Sequence, residues 1–144
     1  MSRKRINPTK KIQSNTPIHP TITADNETIR FSFKHLALNH NKFSFEGKTH
    51  EYFGKVFERL KNISSLTASE IFSNRSSSLR THPINWDDTT EKTGFTHLNQ
   101  QLRQIPAYQF QISSNEHGRV HGFILDNIFF VIWLDPEHRL YANA

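Results

Sequence analysis

The chain has 144 residues, with 18 Lys and Arg against 13 Asp and Glu, and carries a net charge of +5 with histidine neutral. That length suggests one domain, but the hydrophobic share of 35% falls below the roughly 45–50% of typical globular chains counted with Gly. Zero cysteines exclude disulfides, thiol catalysis and zinc–thiolate sites, and no apolar run approaches the roughly 18–20 residues of a membrane-spanning helix.

Residues 1–26 read as a disordered basic arm. Arg3, Lys4, Arg5, Lys10 and Lys11 account for the whole net charge, because the other 13 basic residues equal the 13 acids. Pro8, Pro17 and Pro20 and a few spaced isoleucines cannot bury enough surface to offset the entropy of ordering. Such an arm seeks phosphates by counterion release, docks on an acidic protein, or only keeps the chain soluble. Its basic start lacks a following apolar segment, so the expected compartment is the cytoplasm rather than a secretory route.

Residues 27–144 read as a single α+β domain. Ile29, Phe31 and Phe33 alternate with Arg30 and Ser32, the period of a half-buried strand that could run to Leu38. Phe43 and Phe45 could open a short partner strand. Tyr52, Phe53, Val56, Phe57, Leu60 and Ile63 then recur at helical spacing, with Gly54 suggesting a close packing contact. Thr67 and Glu70 have the spacing of a capping box for a second helix carrying Ile71 and Phe72 inward. Arg80 to Trp86 is extended or irregular, since Pro83 biases His82 away from helix. Phe95, Leu98, Leu102 and Ile105 mark a third helix ended by Pro106. Three strands follow: Tyr108 to Ile112, Arg119 to Leu125, and the unbroken apolar run Ile128 to Leu134, with Asp126-Asn127 as a two-residue hairpin turn. The expected architecture is two or three helices packed on one face of an antiparallel sheet that ends in a three-strand meander.

Nine histidines are more than a chain of this size usually holds, and several stand beside arginines. Histidine exchanges protons near neutral pH, while an arginine fork holds phosphate and stabilises charge on it. Together these are the needs of metal-free RNA cleavage, in which a 2′-hydroxyl attacks the adjacent phosphate. Arg119, His121 and Phe123 share one strand parity, and Gly122 leaves room for a backbone or ligand to approach. If the segment after Asp135 folds back, His138, Arg139 and Tyr141 join His121. The expected catalytic residues are therefore His121, His138 and Tyr141, with Arg119 and Arg139 on phosphate. The plainer alternative is a capped turn, with Asp135 accepting backbone N–H bonds and Tyr141 packed on the sheet. His82 with Asp87 and Asp88, or His138 with Asp135, matches no recognised metal motif, and neither a metal nor another cofactor is expected. Trp133 reads as core; Trp86 either plugs the core edge or stacks a base at an exposed site, and the plug is favoured because buried aromatics dominate cores.

Glu137-His138-Arg139-Leu140-Tyr141 resembles the Glu-His-Arg-Leu stretch ending in Tyr of the YoeB branch of the RelE/YoeB-like bacterial toxins. The resemblance covers about the last 35 residues and implies helices packed on an antiparallel sheet and cleavage of messenger RNA. In that family the stretch is a strand followed by more sheet, whereas only Ala142, Asn143 and Ala144 follow it here. The family's C-terminal catalytic residues thus have no clear counterpart here. The function expected is that of a small cytoplasmic RNA-directed protein, a metal-free endoribonuclease of toxin–antitoxin or phage-defence type, partnered by RNA or another nucleic acid and by a protein partner or antitoxin. The alternative is a non-catalytic binding module or assembly subunit that docks on nucleic acid or an acidic protein through its arm. Neither involves a membrane.

Overall fold

A computed structural model describes residues 27–73, 79–114 and 116–141. The basic arm, with Arg3, Lys4, Arg5, Lys10 and Lys11, lies outside the described residues. Nine short elements follow in order: β1 (Arg30–Ser32), α1 (His50–Ile63), α2 (Ala68–Ser73), β2 (His82–Pro83), a 3-10 turn (Trp86–Asp88), α3 (Gln100–Arg103), β3 (Tyr108–Ser113), β4 (Glu116–Leu125) and β5 (Ile128–Asp135). The class is α+β, and β3, β4 and β5 form the meander read from the sequence.

The five strands make one sheet in the order β1-β5-β4-β3-β2. It is mixed rather than wholly antiparallel. β1 lies parallel to β5, with Phe31 opposite Phe129, while every other pair is antiparallel. An isolated three-residue strand carries no register signal of its own, so its direction is set by where the long connection through α1 and α2 leaves it. Asp126 and Asn127 both have positive φ, 54° and 64°, which is the type I′ hairpin geometry that matches strand twist. Pro83 sits in β2 at the sheet edge, where its missing N–H leaves no gap in a central ladder.

Both faces of the sheet are covered. On one, Tyr52, Val56, Leu60 and Ile63 of α1 and Ile71 of α2 pack against Phe110, Ile112, Val120, Phe129 and Val131. Thr67 and Glu70 close the capping box in both directions, at 2.9 and 3.1 Å, and so define where α2 starts. Two expectations for the helices change. Phe57 and Phe72 are 61% and 43% exposed, and Phe72 lies against the Tyr108 ring of β3, centroids 4.7 Å apart, rather than in the buried cluster. Gly54 makes no close contact at all: nothing lies within 4 Å of where its Cβ would be.

The opposite face is covered mainly by loops. Phe43 does not join a strand but is buried against Trp133, ring centroids 4.4 Å apart, with Phe95 at 4.8 Å and Trp86 at 6.0 Å. Trp86 is the expected plug and Trp133 the expected core residue. The third helix shrinks to one turn, and its Leu102 packs on this second cluster, so only α1 and α2 share a face. A bulge makes this second core possible. His121 pairs with Trp133 and Gly122 with Val131, so Ile132 is an extra residue on β5. Parity then slips, and the sequence neighbours Ile132 and Trp133 both enter the same cluster.

Candidate functional site

Strand register assembles a polar field on the face that Trp133 occupies. His82, Gln109, His121 and Trp133 lie directly opposite one another across β2, β3, β4 and β5. The next row on that face holds Gln111, Arg119 and Asp135, and the charge of Arg80, two residues before His82, is felt at Arg119 and His138. Directly opposite residues share a face and lie close enough to interact. The sheet therefore brings together groups that are far apart in sequence.

Asp135 anchors the open side of this field. It is fully buried, and its carboxylate accepts N–H bonds from Arg139, at 2.7 and 2.9 Å to its two oxygens, and from Leu140 at 3.0 Å. Burial pushes its carboxyl upward, opposed by those N–H donors and by Arg119 and Arg139. The segment after β5 thus turns sharply: His138 takes φ 55°, and Tyr141 forms an isolated bridge with Thr89. This is the capped turn considered as the alternative in the sequence, and it is also what swings His138 and Tyr141 over the polar rows. Gly118 is required beside it. At φ 77° a Cβ there would meet the Asp135 carbonyl oxygen at 1.9 Å.

The site residues expected from sequence take different positions. His138 is partly exposed, and its ring is held below the usual histidine value by burial and by the nearby Arg119, Arg80 and His82. Arg119 is also partly exposed, and burial followed by the neighbouring Arg80 lowers it, against the pull of Asp135. Tyr141 is partly buried, 6.3 Å from the His82 ring. Burial raises its hydroxyl, which a hydrogen bond from the Asn85 backbone partly offsets. Arg139 is exposed at the rim, and its charge is felt at Asp135.

His121 departs from its expected role. It is 0% exposed, enclosed by Phe43, Trp133 and Asp135, so no substrate can touch it in this conformation. β4 is central in the sheet, and Phe43 covers the position that strand parity alone left open. Neither ring nitrogen has a hydrogen-bond partner among the described residues, and the Asp135 oxygen nearest Nε2 is 3.6 Å away. Burial, reinforced by His138, Arg119 and His82, depresses the ring to about 3. It is a neutral imidazole beneath the site. Gly122 likewise admits no ligand, because the space a Cβ would need is filled by the Phe130 carbonyl 1.9 Å away.

Three residues outside the expected set belong to the field. His82 is exposed, with Nδ1 2.9 Å from the Pro83 carbonyl and Nε2 3.0 Å from the Gln109 amide nitrogen. Gln109 and Gln111 alternate with apolar residues and so look solvent-facing, yet they are 3% and 2% exposed. The signal was their position opposite Arg119 and His121, which only the register reveals. Among the described residues no group of three or more His, Asp or Glu is arranged to hold a metal ion. Nor does any helix there have the length and apolarity to cross a membrane.

No family model, no curated protein and no solved structure matches the chain.

Proposed function

We propose that this face of the sheet binds the phosphodiester backbone of RNA and cleaves it without a metal. One observation carries the reading. Arg80, Arg119, His82 and His138 lie close enough to feel one another's charge: burial first and then Arg80 disfavours charged Arg119, and burial followed by Arg119, Arg80 and His82 disfavours charged His138. The acid beside them, Asp135, is already occupied by backbone N–H groups. An arriving phosphate relieves that repulsion, so the cluster is complementary to an anion.

In the proposed reaction the 2′-oxygen attacks the neighbouring phosphorus and the bond to the 5′-oxygen breaks. The products are a 2′,3′-cyclic phosphate and a 5′-hydroxyl. One of His82 and His138 takes the 2′-hydroxyl proton, and the other gives a proton to the leaving 5′-oxygen. Arg119 and Arg80, with Arg139 at the rim, hold the phosphate and stabilise its growing charge. Tyr141 donates a hydrogen bond at the edge of the site. His121 supports the site from beneath rather than touching substrate. A chain with this activity would act in the cytoplasm, and as a toxin or defence nuclease it would need an inhibitory partner.

The test is incubation of the purified protein with mixed RNA and single-stranded DNA, with and without EDTA, at two salt concentrations. The expected result is EDTA-resistant cleavage of RNA alone, leaving cyclic phosphate ends, and its loss in His138→Ala and His82→Ala. Salt-sensitive binding with no cleavage would overturn the nuclease reading and leave a binding module.

A further inference from the structure

Gln109 is an unusual neighbour for an exposed histidine. It is 3% exposed, its amide nitrogen lies 3.0 Å from His82 Nε2, and its carbonyl oxygen is buried with no partner among the described residues. In this arrangement the amide donates and Nε2 accepts. The ring proton must then sit on Nδ1, where it donates to the Pro83 carbonyl 2.9 Å away. Both nitrogens of neutral His82 are thereby satisfied in one tautomer. A protonated ring cannot keep this arrangement, because its Nε2–H would face an N–H donor.

Reversing the amide resolves the conflict. The orphaned oxygen would then accept from Nε2–H, and the amide nitrogen would turn the other way. Directly opposite Gln109 on β4 is His121, whose ring nitrogens both lack partners and whose ring burial keeps neutral, so one of the two is an acceptor. We propose that Gln109 is a positioning residue whose amide reverses as His82 gains a proton, so that one buried row supports both states of the ring. A residue that both takes and gives a proton needs support in both states. The inference deepens the nuclease reading and names His82 as a proton-transfer group within it. The titratable groups that face His82 besides His121 are His138 and Tyr141 on the turn after β5, with Arg80 on its own segment and Arg119 on β4 charged beside His138, and Tyr108 opposite Pro83 on β3.

Nitrogen-15 NMR of the imidazole rings tests this without RNA, with His82→Ala assigning the signals. In wild type the neutral His82 ring carries its proton on Nδ1. In Gln109→Met, which keeps length but removes both hydrogen-bonding atoms, the Pro83 carbonyl still holds the neutral proton on Nδ1, while the Nε2 signal loses its hydrogen-bond shift in both the neutral and the doubly protonated ring. In Gln109→Glu, which only accepts, the doubly protonated ring persists to a pH about one unit higher than in wild type. An unchanged Nε2 signal in Gln109→Met in either state of the ring, or no upward shift in Gln109→Glu, would overturn the proposal. The pH–rate profile of RNA cleavage should move in the same sense in Gln109→Glu. Absence of cleavage in wild type would defeat the nuclease reading, while the ring signals would still decide the role of Gln109.

Discussion

His121 should govern how the fold responds to acid. Its ring falls from an ordinary 6.5 to about 3 because it is enclosed, with three nearby basic groups adding to the cost of a charge. The unfolded chain therefore takes up a proton near pH 6.5, while the folded chain does not until about pH 3. Between those values stability falls as pH falls, by about 1.4 kcal/mol per pH unit. From pH 7 to 4.5 the loss is about 3 kcal/mol, and its ceiling near pH 3 is about 5 kcal/mol, much of a typical domain's total stability. Asp135 works in the opposite direction, since its raised carboxyl favours the fold as pH drops. The signal is isolated by comparing wild type with His121→Leu, which is close in volume and cannot charge. Urea unfolding at steps from pH 7 to 4 should show the variant gaining on wild type by the slope above, whatever their offset at pH 7. Parallel curves would refute the reasoning, because they would mean that the folded ring titrates normally. A wild type that gains on the variant in acid would also refute it, because it would indicate an imidazolium–carboxylate pair with Asp135.

Three further outcomes follow from geometry. Gly54→Ala should stabilise the protein by about 1 kcal/mol and raise Tm by a few degrees, because the position is mid-helix with open space where the methyl would stand. Gly118→Ala should destabilise it by about 3 kcal/mol or more in urea unfolding, since its backbone is left-handed and the added carbon would overlap Asp135 and Pro136. Arg119→Ala should move the His138 titration up toward 6.5 in proton NMR, because a like charge that disfavours the imidazolium is removed. An unmoved midpoint would show that Arg119 and His138 are not crowded together.

Local pattern carried much of the local structure. Period fixed α1 and the three-strand meander, Thr67 and Glu70 closed the capping box read from their spacing, and Asp126-Asn127 made the hairpin turn. These features depend on residues a few positions apart, so a single sequence carries their physics. Strand parity also put Arg119 and His121 on one face, and the turn after Asp135 was legible in outline. Parity could not show that Phe43 seals His121, because Phe43 comes from a loop 78 positions earlier by chain number. Nor could alternation distinguish a solvent-facing Gln109 from one buried beneath His82.

By itself the sequence determined the class of fold, the placement of charge along the chain, and the local devices that begin and end its elements. Tertiary structure alone decided the parallel pairing of β1, the bulge at Ile132, and which histidines remain reachable. The reason is that register and loop cover are set by contacts between distant segments. In this protein those contacts bury the histidine that strand parity favoured. They also bring His82, which precedes the meander in the chain, opposite the turn that carries His138.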